Sequence, residues 1–530
     1  MPSATRAHAW YVLIVVALLL LLFFARWIPH GSLPALVGDS SIFLYIGQQF
    51  NHGLKPYVDV WDLKPPMIYW LDAFSLWFTP CSPRGAVCLG CVSVIAFFIV
   101  AWATLQRRAG ASATAFALLL GVNCLPDITL NPNITEVFAL PFQALSFFLL
   151  CRQSEDGPRP YDPVLQGLIA SVLLQLRPNN TVVIGLYLLA GGYEHIRGRS
   201  IGRLIGNATA FLAAFAAGNL AILWPLIARG TLSEYWDAVF GFGRHYSTVR
   251  PGILHLYAAA VGLLKMSRFG AAVVTGAAVS AIIAAKPSWK NPQDRFALLA
   301  LALLGMEVAG SAVSGRAFEH YFLMTLLPII LLAGVFVKRC GAAISLRPFA
   351  AASFWGACAI LVAGSAIDSA REIGETVMKF HDRQVNVVRY VRGRTAPSDR
   401  VLVWNGFADL LVRLDRPPAT RFFHSAAMQD VQTYRDQAAE ALRDAVRVPP
   451  KFILEYDSEP GSIPAIFAAS PCASLPASRS PEHGGLMDTA IATTSHPWDS
   501  DELRRLKKEL RERYELAYSD GSGVRVFARR

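Results

Sequence analysis

The sequence predicts an α-helical polytopic membrane protein carrying a small α/β domain at its C-terminal end. Three observations predict it. Of the 530 residues 54% are hydrophobic and only 16% are charged, against roughly 25% charged in ordinary soluble domains. The apolar residues gather in runs of about 15 to 25, the length that crosses a hydrocarbon core. Finally, those runs fill the first two thirds of the chain, whereas the part after about Asp368 has the composition of a soluble domain.

In chain order, spans are predicted near 8–28, 84–106, 112–126, 136–151, 163–176, 180–193, 203–227, 269–285, 295–313, 321–337 and 348–367, about eleven in all. Arg6 precedes the first run, which is long enough to span and has no clean small-residue cleavage site after it, so a retained signal-anchor helix is expected. Arg107 and Arg108, then Arg197, Arg199 and Arg203, then Lys286, Lys290 and Arg295, then Lys338 and Arg339 all fall on the side where the N-terminus starts. By the positive-inside rule that side is cytoplasmic. An odd number of spans then puts the first loop, 29–83, and the C-terminal domain together on the outer side. The transmembrane domain is expected over 1–370 and the outer α/β domain over 380–530.

Two stretches read as interfacial rather than spanning. Residues 67–78 are too short to cross, carry Asp72 and are rich in Trp and Tyr; Leu232 to Met266 mixes Tyr235, Trp236, Arg244, His245, Tyr246 and Arg250 with an amphipathic tail. In the C-terminal region, strands are predicted at Arg400–Trp404, Lys451–Tyr456 and Val524–Ala528. Helical patterns fall at Ala408–Leu414, Ala427–Val446 and Ser500–Ala517. Ser470 to His496, rich in Ser, Pro and Gly, reads as a flexible insertion without assignable chemistry.

The net charge of +11 does not point to nucleic acid, because the basic residues sit in short clusters between spans and form no stripe with interleaved aromatics. Cys88 and Cys91 form a CxxC with no second pair at metal-site spacing, and read as small apolar residues of a membrane helix.

Chemistry concentrates between Gly38 and Trp70, where Asp39, Asp59, Asp62 and Lys64 share one loop beside a membrane. Charges kept there are costly unless paired or used. Asp39 heads a helical pattern over Ser40–Asn51 that ends before Gly53, so it reads either as an N-cap or as a general base able to take a proton from an incoming hydroxyl. Lys64 precedes Pro65, Pro66 and the interfacial helix. Its ammonium and that helix's positive end would point the same way, as phosphate sites do; an interfacial anchor or a salt bridge to Asp59 or Asp62 is the alternative. Glu136 reads as a helix cap or a sugar-hydroxyl ligand. His320 and Tyr321 read as an interface anchor or an acceptor- or phosphate-binding pair. Arg177 pairs with a carboxylate or with a lipid phosphate.

The set Asp39, Tyr45, Gly53, Pro56, Tyr57, Asp59, Asp62, Lys64, Pro65, Pro66, Tyr69 and Trp70 resembles the first periplasmic loop of the GT-C membrane glycosyltransferases. The likeness is to the family 39-like, protein-mannosyltransferase-like branch that includes the aminoarabinose and galacturonic acid transferases of lipopolysaccharide. Asn131 with Asn133 and Glu136, Arg177 to Asn179, His320 with Tyr321 and Pro328, and Val401 to Gly406 with Pro418 to Phe422 are similar to further positions of these proteins. The resemblance implies the GT-C fold, a bacterial inner membrane and transfer of a sugar from a polyprenyl-phosphate donor to a glycan, lipid or protein acceptor, with inversion at the anomeric carbon. It implies Asp39 as the base, Lys64 with Arg177 or Arg244 on the donor phosphate, and Tyr57, Asp59, Asp62, Glu136, His320 and Tyr321 around the substrates. No cofactor is firmly expected. Ser40 stands where many relatives carry a second acidic residue, so no metal site is assigned and metal dependence stays open. The competing readings are a multi-span transporter or flippase of lipid-linked sugars, and an anchored assembly protein. Few charges inside spans and no inverted repeat argue against the first; the number of spans argues against the second.

Overall fold

The computed structural model of the chain describes residues 38–80, 82–128, 132–198, 200–248, 252–266, 269–344, 356, 360, 363, 367, 384–406, 408–425, 428, 431–456, 463–467 and 499–530. The predicted spans at 8–28 and, but for four positions, 348–367, together with Asn131 and the insertion from Ser470 to His496, lie outside the described residues.

Two short helices come first, α1 (Asp39–Asn51) and α2 (Met67–Phe78). They are followed by α3 (Arg84–Ala109), α4 (Ala111–Ile128), α5 (Thr135–Asp156), α6 (Asp162–Leu176), α7 (Val182–Arg197) and α8 (Ile201–Arg229). After α8 the chain forms α9 (Leu232–Trp236), a π-helical turn at Asp237–Phe242 and α10 (Gly243–Thr248). Helices α11 (Gly252–Met266), α12 (Phe269–Ala284), α13 (Pro292–Ala312) and α14 (Leu326–Ile344) follow, the last entered through a 3-10 segment at Glu319–Thr325. Among the described residues, five stretches are long and apolar enough to cross a membrane: Arg84–Ala109, Thr135–Asp156, Ile201–Arg229, Pro292–Ala312 and Glu319–Cys340. Shorter apolar helices, including Ala111–Val122, Asp162–Leu176 and Ala271–Ala284, fall on other predicted spans.

Close packing rather than apolar attraction has to hold helices together in lipid. The α6/α8 pair is an instance: a Cβ on Gly167 would sit 2.4 Å from the Phe211 carbonyl oxygen, and one on Gly218 would collide with the Ser171 hydroxyl. Helix α11, in the stretch that reads as interfacial, is apolar but shorter than the five long helices, and a Cβ on its Gly262 would collide with the Phe322 ring.

The C-terminal part builds α15 (Val385–Arg392), β1 (Val401–Trp404), α16 (Asp409–Leu414), α17 (Val431–Arg447), β2 (Phe452–Tyr456), α18 (Asp501–Arg513), β3 (Tyr514–Ser519) and β4 (Val524–Arg529). The sheet order is β1-β2-β4-β3, with β1 and β2 parallel and the remaining pairs antiparallel. Strand β3 covers residues expected to continue the preceding helix to Ala517. The helix stops at Arg513, and Tyr514 to Ser519 pair with β4 instead. Short β1 and β2 are buried at nearly every position, which is why they read as continuous apolar runs.

Candidate active site

The site forms where α1, the loop that follows it and the C-terminal domain meet. Gly38, at φ +63°, turns the chain into α1. Asp39 is the first helical residue and makes no capping hydrogen bond, so the capping role open to it on sequence grounds is not the one it fills. Its Oδ2 lies 3.6 Å from the Lys64 ammonium. The Lys64 side chain keeps only 10% of its surface exposed, and that of Asp39 keeps 35%, so the pair sits in a recess open on the Asp39 side. Burial pushes the Asp39 pKa up, but Lys64 above all, with His320, His424 and Arg177 behind it, brings the carboxyl below its ordinary range.

Lys64 is held through its backbone. The Tyr57 hydroxyl donates to the Lys64 carbonyl at 2.8 Å, and the Tyr69 hydroxyl lies within reach of both the Asp62 carboxylate (2.8 Å) and the same carbonyl (3.1 Å). Tyr57 takes a left-handed φ of +70°, unusual for a bulky residue, and its backbone N–H closes the turn onto the Val60 carbonyl at 2.7 Å. Asp59 belongs to that turn: it is exposed and accepts from the Lys55 N–H at 2.7 Å. Asp59 is thus separated in role from Asp62, which is buried.

On the opposite wall, Glu136 and Arg177 form a buried ion pair, and the Thr135 hydroxyl donates to the second Glu136 oxygen at 2.7 Å. Glu136 lies in the first turn of α5 but makes no cap; Arg177 ends α6 in extended geometry. The Arg177 guanidinium lies 3.8 Å from the centre of the Tyr321 ring, and Lys64 Nζ 5.8 Å from it, cation–π geometry in both cases. His320 packs edge-on against Tyr321 at 4.7 Å. The Tyr321 hydroxyl meets that of Tyr246 at 3.3 Å, and the buried Arg316 guanidinium lies 4.2 Å from the centre of the Tyr246 ring.

Asp39, Lys64, Arg177, Glu136, His320 and Tyr321 are therefore gathered at one recess, with Tyr57 and Asp62 directly behind it. Arg244 is exposed on α10; the residue of that helix whose hydroxyl meets Tyr321 is Tyr246. Tyr246, Arg316 and His424 were missed by sequence reasoning. Arg316, in a run otherwise poor in charge, was the one with a signal.

Behind Tyr57, whose ring meets that of Tyr235 edge-on at 5.6 Å, a cavity of about 510 Å³ opens between α6, α8 and α9, walled by Leu174, Leu223, Leu232 and Trp236. Its polar row is Gln175, bonded to Asn219 at 2.8 Å and to the Tyr235 hydroxyl at 3.2 Å. Behind α1, the fully buried Asp72 accepts from Asn133 at 3.1 Å, and the Ser40 hydroxyl donates to the Asn133 carbonyl at 2.9 Å. Burial raises the Asp72 pKa well above the carboxylate range, against the lowering effect of the Asn133 bond. Among the described residues no three His, Cys, Asp or Glu side chains gather as a metal-holding group.

No protein-family model matches the chain, and no curated protein sequence matches it. Solved structures do. ArnT from Cupriavidus metallidurans in the apo state aligns with a TM-score of 0.59 at 14% identity, over 85% of this chain and 93% of that one. ArnT from the same organism bound to undecaprenyl phosphate aligns with a TM-score of 0.61 at 13% identity, over 98% of each chain. The archaeal oligosaccharyltransferase AglB from Archaeoglobus fulgidus, in complex with an inhibitory peptide and a dolichol phosphate, aligns at 0.50 and 10% identity over 84% of this chain and 69% of that one. At such identities the likeness is one of fold: this chain shares the fold of ArnT over nearly its whole length, the fold class expected from the sequence.

Proposed function

We propose that the protein is an inverting glycosyltransferase that moves a sugar from a polyprenyl-phosphate donor to a hydroxyl of a cell-envelope acceptor, on the outer face of a bacterial inner membrane. The observation that carries this reading is the Asp39–Lys64 pair at 3.6 Å in a recess also faced by Arg177, on a fold shared with a protein solved with undecaprenyl phosphate.

The chemistry follows from the two charges. In the resting site Lys64 is the first counter-charge of Asp39 and keeps the carboxylate ionised. A donor phosphate arriving in the recess competes for the ammonium. As Lys64 turns to the phosphate, Asp39 loses its main stabilising neighbour and its pKa rises, which makes it a better base at the moment an acceptor is present. The acceptor oxygen attacks the anomeric carbon from the face opposite the phosphate. The new C–O bond forms as the bond to the phosphate oxygen breaks, the acceptor proton passes to Asp39, and the polyprenyl phosphate leaves with its charge met by Lys64. Opposite-face attack inverts the anomeric configuration.

Arg177 has a narrower role than Lys64. Glu136 already neutralises it, so it orients Tyr321 and contributes field more than free charge. Tyr321, whose ring is within cation–π range of both cations, and His320 line the side on which a sugar would lie. Asp62 and Tyr57 act through the Lys64 backbone. The cavity beside Tyr235 is apolar on most sides and suits an isoprenoid chain whose headgroup reaches Lys64.

The test is reconstitution into proteoliposomes with polyprenyl-phosphate sugars and a hydroxyl acceptor, following lipid products by mass spectrometry. Consumption of the donor with release of polyprenyl phosphate and formation of a glycosylated acceptor is expected. Movement of intact donor between leaflets without bond cleavage would refute the reading.

A further inference from the structure

The 59–64 stretch that carries Lys64 has no helix or ladder of its own; the Tyr57 and Tyr69 hydroxyls hold its Lys64 end, and the C-terminal domain holds its middle. Trp61 is clasped at both backbone groups: its N–H donates to the Arg421 carbonyl at 3.0 Å, and its carbonyl faces His424 Nε2 at 3.2 Å. Its ring is wedged between Phe242 (5.0 Å, edge-on) and Phe422 (5.3 Å). The same domain grips α1, where the Tyr45 hydroxyl donates to the Arg416 carbonyl at 2.8 Å and the Ala408 N–H donates to the Ser41 hydroxyl at 3.2 Å. The two segments bearing Asp39 and Lys64 are thus both tied to one outside support.

We propose that His424 is a positioning residue of the transfer reaction: by donating from Nε2 to the Trp61 carbonyl it tethers the first loop to the C-terminal domain and holds Lys64 at its working distance from Asp39. The proposal rests on the transferase reading given above.

A carbonyl can only accept, so Nε2 carries the proton, and the neutral ring leaves Nδ1 bare. That Nδ1 is buried without a hydrogen-bond partner in the structure, and the residue as a whole is only 4% exposed. A histidine kept this dry and half-satisfied has one bond to make, and it makes it to the loop. Burial holds its pKa below the ordinary histidine range, although Asp62, the Trp61 carbonyl and Asp39 pull the other way, so the neutral donor persists at neutral pH. Asp62 Oδ1, 4.0 Å from Nε2, is too far for a hydrogen bond, which leaves the Trp61 carbonyl as the contact through which His424 acts.

Three variants of the full-length protein test this. His424→Phe keeps the ring volume and removes the donor; His424→Gln places an amide N–H where Nε2–H stands. In His424→Phe, kcat/KM for the polyprenyl-phosphate donor falls about tenfold or more, the value of one lost positioning bond, with the acceptor KM unchanged. Backbone amide exchange of a peptide covering 57–66 accelerates in the same variant. His424→Gln restores both to near wild type. If His424→Phe does not fold, His424→Asn, whose shorter amide falls short of the Trp61 carbonyl, takes its place with the same expectation. Wild-type kinetics and exchange in the Phe or Asn variant overturn the proposal, as does a His424→Gln variant as impaired as they are. Should the wild-type protein transfer no sugar, the functional reading fails and the exchange result alone decides the tether.

Discussion

Replacing Asp39 with asparagine separates its proposed role as base from its part in the charge pair with Lys64. Two unit charges 3.6 Å apart attract by about 4.6 kcal/mol at an effective dielectric near 20. The Asp39 side chain is 35% exposed, and solvent on that side pulls the net value toward the ~1 kcal/mol of exposed pairs. A stability loss of about 1 to 3 kcal/mol is therefore expected. A general base in the transition state contributes about 100- to 10,000-fold in rate, or roughly 3 to 5 kcal/mol, so the catalytic loss exceeds the structural one. Asp39→Asn should lower kcat at least ~100-fold while the protein stays folded. The donor KM should hold or fall, because Lys64 no longer shares its charge with a neighbouring carboxylate. Steady-state transfer from a polyprenyl-phosphate sugar in proteoliposomes, with thermal unfolding of the same preparations, reads both quantities. A variant within tenfold of wild-type kcat, or one whose donor KM rises at constant kcat, refutes the assignment. The pH profile gives an independent check. Activity needs the ionised carboxylate and is lost as pH falls through its folded-state pKa, which Lys64 and its neighbours hold below the ordinary 3.8. The acid limb of kcat/KM, which reports the free enzyme, should accordingly lie below the usual carboxylate range, and that of kcat, which reports the donor-bound site, should lie above it.

Lys64→Ala should raise the donor KM by about 10- to 100-fold, the worth of a charge-assisted contact, and should shift the Asp39 limb to higher pH because its first counter-charge is gone; an unchanged donor affinity would remove Lys64 from the phosphate site. Glu136→Gln leaves the buried Arg177 without its partner and should destabilise the protein by about 3 to 5 kcal/mol, a cost that a double-mutant cycle with Arg177→Met should show to be largely shared between the two residues; additive losses would mean the pair is not the unit. Asp72→Asn should leave transfer intact and change the pH dependence of stability. The folded-state pKa of Asp72 is raised, so above pH 3.8 the native state keeps a proton that the unfolded chain has released, and stability declines as pH rises through that window. The asparagine variant cannot titrate, so chemical unfolding from pH 4 to 8 should show a flatter slope than wild type; parallel curves would refute it.

What the sequence could and could not disclose follows from how each residue is stabilised. Span positions such as 84–106 and 203–227 were legible because burial in lipid demands long uninterrupted apolar runs, and the structure extends them only at the ends, to Arg84–Ala109 and Ile201–Arg229. The Asp39 to Trp70 stretch was legible because charges beside spans have few cheap explanations. Asp72 shows where that logic stops. Its presence in an apolar, aromatic helix suggested contact with the membrane surface, yet it is fully buried against Asn133. A carboxyl in a dry site and a carboxylate bathed in water are the same letter. Strand β3 was hidden for a related reason. Glu515, Leu516 and Ala517 continue the helical pattern of α18, and only pairing with β4, a partner absent from any local window, turns them into a strand. His424 is the extreme case, since it lies 363 residues from the Trp61 carbonyl it contacts and no spacing rule reaches across that distance. The residues that local chemistry betrays are those that hold charge next to lipid, whereas those that position them are neutral and buried, and some of them come from a different domain. Asp39 and Lys64 therefore identify the recess, but its geometry is set by Tyr57, Tyr69, Trp61 and the domain that clasps them, and a substitution there should alter rate without altering any residue that touches substrate.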